Sequence, residues 1–261
     1  MDLELTGKAF LITGGTDGLG LALASQLAAE GASVAICGRD EERLRTAQAT
    51  VTAAAGSERP VLALRADVSR ADDLADFAEG ALSRWGRIDG VVHNAGRASA
   101  GQLESIEDGT WEADFQLKLM AAVRLTRLTL PQLRDNRGAV LFTLALAAKA
   151  PAGGSEPSSV TRAAGMALMK ALSKELASDG VRVNAILIGL IESGQWVRAA
   201  AGAQKDLERF YADFARGAGI PLGRFGRADE FADLACYLLS ARSSYVTGTA
   251  INLDGGMSPV V

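Results

Sequence analysis

The chain has 261 residues, 48% hydrophobic and 22% charged, enough for one large domain or two small ones around a buried core. Lys and Arg number 27 against 31 Asp and Glu, and the net charge of −4 speaks against nucleic acid as the main partner, since phosphate binding needs a basic face. The acidic start, MDLELTGK, lacks a signal peptide's apolar stretch, and the longest apolar run, Ala139 to Ala148, is too short to span a bilayer. The two cysteines, Cys37 and Cys236, have no metal-ligand spacing and read as reduced, half-buried thiols of a cytoplasmic protein, so no disulfide framework, metal site or membrane span is expected.

Short apolar runs alternate with helical periods. Lys8–Thr13 reads as a buried strand that enters a glycine-rich turn, followed by a helix over Leu19–Ala29 stopped by Gly31. Ser33–Cys37 is the next strand, and Asp40 caps a helix through Ala55. Pro60–Leu64 is a third strand. Ser69 and Asp72 resemble a capping box ahead of the apolar face Leu74, Phe77, Ala78, Ala81, Leu82 and Trp85. Ile88–His93 is a fourth strand, followed by a long helix from Thr110 to Leu130. Ala139–Ala145 is a fifth, and a helix over Ser158–Ala177 leads to a sixth, Val181–Ile188. Asp229–Leu239 is helical and Thr249–Leu253 is the last strand. This alternation predicts an α/β fold, a doubly wound parallel sheet in a single domain over 1–261. Residues 192–219 break the rhythm and are expected to form a lid over a binding site, or else a plain surface excursion.

The turn Thr13-Gly-Gly-Thr-Asp-Gly-Leu-Gly20 lies between the first strand and the first helix. Gly14 suits a tight turn, Gly18 the approach of a pyrophosphate and Gly20 close packing of helix on sheet. The helix N-terminus offers free N–H groups and partial positive charge to phosphates. The second strand ends in Cys37-Gly38-Arg39. An acidic residue there would accept ribose hydroxyls, whereas Arg39 suits a 2′-phosphate and favours NADP(H) over NAD(H). Asp17 works against this, because its carboxylate would repel the phosphate.

Taken together, the chain resembles the short-chain dehydrogenase/reductase family over nearly its whole length. The TGGTDGLG turn is similar to the family's Thr-Gly-x-x-x-Gly-x-Gly, Asp67-Val68 to its adenine-contacting pair, and Asn94-Ala95-Gly96 to its Asn-Ala-Gly. Val181-Arg-Val-Asn184, Tyr245-Val-Thr-Gly-Thr and Asp254-Gly-Gly match its later signatures. The resemblance implies a Rossmann-type sheet of about seven strands, a homotetramer or homodimer, and a small-molecule substrate. It implies a cofactor site of Gly14, Thr16, Gly18, Leu19, Gly20, Arg39, Asp67, Val68, Asn94, Ala95, Gly96, Arg162, Gly189 and Ile191.

The family's chemistry uses a Tyr general acid/base, a Lys four residues later, a Ser and an Asn. Aligned on Lys170–Ala177, the Tyr position holds Ser158, the Lys position Arg162 and the Ser position Ala145; counted from Trp111, the Asn position holds Lys118. The only tyrosines are Tyr211, Tyr237 and Tyr245, so no small shift restores the set. Ser158 and Arg162 keep the i, i+4 spacing of one helix face. A serine hydroxyl is less acidic than a phenol and ends several Å short of it, whereas proton transfer needs about 2.6–3.2 Å. Arg162 cannot release a proton but keeps a positive field. Loss of the general acid costs about 10²–10⁴-fold in rate.

Three readings stay open. One is an NADP(H)-dependent oxidoreductase with a rebuilt site, its proton coming from Lys118, Tyr211 or water, on a small, apolar carbonyl or alcohol ligand suggested by Trp196, Phe210, Tyr211 and Phe214. The second is a catalytically inactive nucleotide-binding or scaffold protein that pairs with an active relative. The third is a non-redox enzyme using Lys118 and Arg162 to bind anions. His93 reads as a core residue, and Lys149 as a solvated loop residue.

Overall fold

The computed structural model describes residues 2–56, 61–204 and 206–261. In chain order its elements are β1 (Ala9–Thr13), α1 (Gly18–Ala29), β2 (Ser33–Gly38), α2 (Glu41–Ala54), β3 (Val61–Arg65), α3 (Ala71–Trp85), β4 (Gly90–His93) and β5 (Ala100–Gly101). There follow α4 (Asp108–Phe115), α5 (Ala121–Asn136), β6 (Ala139–Ala145), β7 (Glu156–Pro157), α6 (Ser158–Glu175) and β8 (Arg182–Ile188). The chain closes with α7 (Gly194–Gly202), α8 (Leu207–Gly217), α9 (Ala228–Leu239) and β9 (Ala250–Leu253).

Seven strands form one parallel sheet in the order β3-β2-β1-β4-β6-β8-β9, and β5 with β7 makes a separate antiparallel ribbon. Alternation along each strand feeds two cores. Phe10 and Ile12 of β1 and Val34 and Ile36 of β2 pack with Leu23, Leu27, Leu44 and Phe231 from α1, α2 and α9. Leu11, Ala35 and Cys37 face the other way, with Leu74, Phe77, Leu125 and Met169 from α3, α5 and α6. Both faces are therefore covered, as a parallel sheet requires. The strand order reverses between β1 and β4, and in such sheets ligands bind beyond the carboxyl ends of the strands at that reversal. This is the doubly wound parallel sheet expected from the alternation, in the seven-stranded Rossmann-type form that the family resemblance implies.

Several details differ from the sequence reading. Pro60 lies outside the described residues. No capping box forms at Ser69 and Asp72; Ser69 Oγ donates to Asp67 Oδ1 at 2.7 Å, and α3 starts after Arg70 without a side-chain cap. The helix expected over Thr110–Leu130 is α4 and α5 joined by a π-helical turn, Gln116–Met120, and it runs on to Asn136. Residues 192–219 hold two helices, α7 and α8. The helix α7 is short and rich in Ala and Gly, whereas α8 is strongly amphipathic, and aromatic packing holds the pair. Trp196 lies 5.0 Å from Phe214 and 5.5 Å from Phe225, and Tyr211 lies 4.8 Å from Phe225, ring centre to ring centre. Cys37 and Cys236 are fully buried, not half-buried, and burial pushes both thiols up to about 12. Among the described residues no helix is long and apolar enough to cross a membrane, and none group as a metal site.

Candidate active site

The glycine turn sits where the sheet order reverses. Asp17 caps α1 by accepting from Gly18 N at 2.8 Å, and its other oxygen is held by Arg43 at 2.8 Å. The carboxylate that would repel a phosphate is thus partly neutralised. Gly20 has no room for a side chain: a Cβ there would collide with Gly14 O and come within 2.5 Å of Asn94 Nδ2. Asn94 is spent on holding the turn, donating through Nδ2 to Thr13 O at 3.0 Å and Gly14 O at 3.1 Å. Its own N–H and that of Ala95 donate to Thr13 Oγ1 at 3.0 and 3.1 Å. Asn94 and Ala95 therefore clamp the end of β1 to the loop after β4.

Arg39 stands exposed at the end of β2. Burial pushes the Asp67 carboxyl up, but the Ser69 hydroxyl and amide and the charges of Arg39 and Arg70 outweigh it and hold Asp67 below the usual carboxylate range. Val68 is buried beside it in the core. At the far end of the sheet a Cβ on Gly189 would fall 2.8 Å from Asp254 Cβ, and Ile191 bridges to Gly226.

The second half of the site is a cluster from three elements. The π-helical turn presents Lys118, whose Nζ lies 2.7 Å from Asp114 Oδ1 and donates to Oδ2 at 2.9 Å. Both side chains are buried, 3% and 1% exposed, so this is an interior ion pair. Nζ also donates to Ser158 Oγ at 2.7 Å, and that oxygen accepts from Ser99 N at 2.9 Å. Thr161 Oγ1 donates to Asp114 Oδ2 at 2.7 Å. One turn along α6, Arg162 donates to Thr143 O, and its Nη2 lies where a Cβ on Gly96 would be 2.8 Å away. Burial depresses the Lys118 ammonium; Asp114 opposes this, while Arg162 and Arg97 add to it, and the net is below the ordinary lysine range. π-Helical turns recur at functional sites, and here one aims a cation inward.

Lys118, Ser158 and Arg162 are thus brought together, and Ala145, at the end of β6, offers no donor. Beside them lies a narrow crevice opening to solvent, lined by Lys118, Arg162, His93, Thr143 and Thr161 among others. His93 shares a 2.8 Å hydrogen bond with Thr126, and burial pushes it down to about 3, so the ring is neutral. Lys149 is no free loop cation: its ammonium donates to Ala250 O at 2.9 Å and Asn252 Oδ1 at 3.2 Å, tying the loop after β6 to β9. Tyr211, on α8, packs against the rings of Phe225 and Phe210. The residue that the sequence reading missed is Asp114. Its i, i+4 spacing to Lys118 was the available signal.

The family model for enoyl-(acyl carrier protein) reductase matches residues 14–258. The chain is 30% identical to the 3-oxoacyl-[acyl-carrier-protein] reductase of Chlamydia muridarum, over 99% of this chain and 100% of that one. It is similar to the L-sorbose reductase of Gluconobacter frateurii complexed with NADPH and L-sorbose, at 32% identity, TM-score 0.95 and full coverage of both chains. An NADPH-bound short chain oxidoreductase of Pseudomonas aeruginosa PAO1, described as containing an atypical catalytic center, is 36% identical with a TM-score of 0.90, over 97% of this chain and 98% of that one. With a matching family model, full-length relatives and a shared fold, the chain belongs to the short-chain dehydrogenase/reductase family of oxidoreductases.

Proposed function

We propose that the protein transfers hydride between NADP(H) and a small, apolar carbonyl or alcohol substrate through a non-standard active site built on Lys118, Ser158 and Arg162. The observation that carries this reading is the clamp of Asn94 and Ala95 onto the glycine turn, with Arg162 resting against Gly96 on the same loop. It joins a cradle shaped for a dinucleotide to a buried, charged cluster. The cradle fits the cofactor, since a Cβ on Gly18 would meet nothing nearer than Ser193 Cβ at 3.7 Å, which leaves that backbone open to a pyrophosphate, while Gly20 packs tightly on Gly14 and Asn94.

In this reading Gly14, Thr16, Gly18, Leu19 and the N-terminus of α1 hold the pyrophosphate, and Arg39 the 2′-phosphate. Asp67 and Val68 border the adenine, and Gly189 and Ile191 the nicotinamide. Arg162 takes the place of the family's lysine toward the ribose. The bound nicotinamide supplies or accepts the hydride. The protein's side chains orient the reacting oxygen and handle its proton. NADPH complexes among the similar structures support the choice of cofactor, as does Arg39. Helices α7 and α8, with their aromatic packing, serve as the lid that shapes an apolar substrate pocket.

A second reading is a nucleotide-binding protein without turnover, favoured by Ala145, which lacks the family's hydroxyl. NADPH fluorescence on mixing, followed by NADPH consumption with ketones, quinones and enones, separates the two. Binding with turnover supports the oxidoreductase; binding without turnover supports the second reading; no binding overturns both.

A further inference from the structure

Resting on the oxidoreductase reading, we infer that the Ser158 hydroxyl is the proton donor to the reacting oxygen and that Asp114, acting through Lys118, is the positioning residue that keeps this donor supplied.

The argument begins with hydrogen-bond valence. A serine hydroxyl accepts two hydrogen bonds and donates one. Ser158 Oγ accepts from Lys118 Nζ at 2.7 Å and from Ser99 N at 2.9 Å, which fills both acceptor sites. Among the described residues no group accepts its hydrogen. The hydroxyl hydrogen is thereby left available for an incoming oxygen. A serine ends short of where a phenol would reach, so the substrate oxygen must come in closer to α6. Ala145, with nothing beyond its Cβ, leaves that approach clear of the usual second hydroxyl.

Behind Ser158 stands a proton reserve. Lys118 straddles the Asp114 carboxylate, and Asp114 is itself fixed by Thr161 Oγ1 at 2.7 Å. Asp114 on α4, Arg162 on α6 and Arg97 after β4 are the charges acting on Lys118, and His93 on β4 stands neutral across the crevice. Only Asp114 favours the ammonium; burial and the two arginines oppose it. In reduction, the carbonyl carbon gains a hydride with its two electrons, and the C=O π pair moves to oxygen. That oxygen takes the proton of Ser158 Oγ as the O–H bond breaks. Ser158 Oγ regains a proton from Lys118 Nζ, and Lys118 regains one from solvent. The sum is carbonyl, NADPH and H⁺ giving alcohol and NADP⁺.

Two measurements test this. The first needs no cofactor: ¹³C-lysine NMR titration of the unliganded protein, with the Lys118 signal identified by its loss in Lys118→Met. In Asp114→Asn the Lys118 midpoint should fall by about one unit or more, since the favourable charge is removed. An unchanged midpoint would overturn the role of Asp114. The second follows NADPH oxidation with phenanthrenequinone and a panel of ketones against pH. Ser158→Ala should lose about 100-fold in kcat with NADPH affinity unchanged. Asp114→Asn should move the alkaline limb of the rate profile to lower pH while keeping the rate on the acid side. Full turnover by Ser158→Ala, or an Asp114→Asn profile lowered equally at every pH, would overturn the relay. The Ser158→Ala arm stands by itself should Asp114→Asn fold poorly. Wild-type turnover that Ser158→Ala keeps in full would overturn the relay alone; NADPH binding without any turnover, or no NADPH binding, would overturn the proposed function with it.

Discussion

The two halves of the site are built by different means. The cradle at the β1–β4 reversal is made of backbone: glycines, a helix N-terminus, and an asparagine whose side chain binds main-chain oxygens. The cluster between α4 and α6 is made of side chains: a buried ion pair, two hydroxyls and an arginine. Backbone geometry tolerates few sequences, so the first half keeps the family's pattern. A side-chain network can be rebuilt with new chemistry so long as every buried polar group finds a partner, and here Lys118 arrives with Asp114.

The comparison can be broken from either side. The largest effect is expected for Asp114→Ala, which leaves Lys118 buried without its counter-charge and should cost about 3–5 kcal/mol in urea unfolding. Intact NADPH binding in that variant would sharpen the separation of the halves. Next comes acid sensitivity at His93, on the strand end between them. Burial holds its folded-state value at about 3 against an ordinary 6.5, so the unfolded chain binds the extra proton. Its contribution to stability is complete above 6.5 and drains away as pH falls toward 3, by about 1.4 kcal/mol for each unit below 6.5. His93→Met should flatten that part of the stability–pH curve; an unaltered curve would contradict the buried neutral ring.

Gly20→Ala attacks the cradle. The added methyl has no space beside Gly14 O and Asn94 Nδ2, and overpacking of this kind costs about 1–3 kcal/mol. NADPH fluorescence should show binding lost while the Lys118 NMR signal stays in place. The smallest effect is expected for Arg39→Ala. If its exposed guanidinium holds the 2′-phosphate as proposed, affinity for NADPH should fall about tenfold with NADH unchanged, as read by calorimetry. Equal losses for both nucleotides would remove Arg39 from phosphate selection.

The same difference decides what was readable in the sequence. The turn at Thr13–Gly20, Arg39, Asp67 and Asn94 stand at positions that follow local rules, and the strand–helix alternation led directly to the sheet. Ser158, Arg162 and Lys118 were found as departures from a pattern. Ser99 and Thr161 were not, because they meet Ser158 and Asp114 only through packing of separate elements, whereas Asp114 stands one turn before Lys118. Asp17 looked hostile to a phosphate until Arg43, 26 positions away, was seen to hold it. Lys149 looked solvated because its acceptors, Ala250 and Asn252, lie on the last strand. The helices α7 and α8 depend on ring contacts with Phe225, outside the stretch that contains them.

The most direct test of a retained cofactor cradle joined to a rebuilt proton path is a crystal structure with NADPH. The account predicts pyrophosphate on the N-terminus of α1, Arg162 turned to the nicotinamide ribose, and an ordered nicotinamide whose reactive carbon shares one cavity with Ser158 Oγ. A nucleotide bound elsewhere, or a nicotinamide walled off from Ser158, would contradict it.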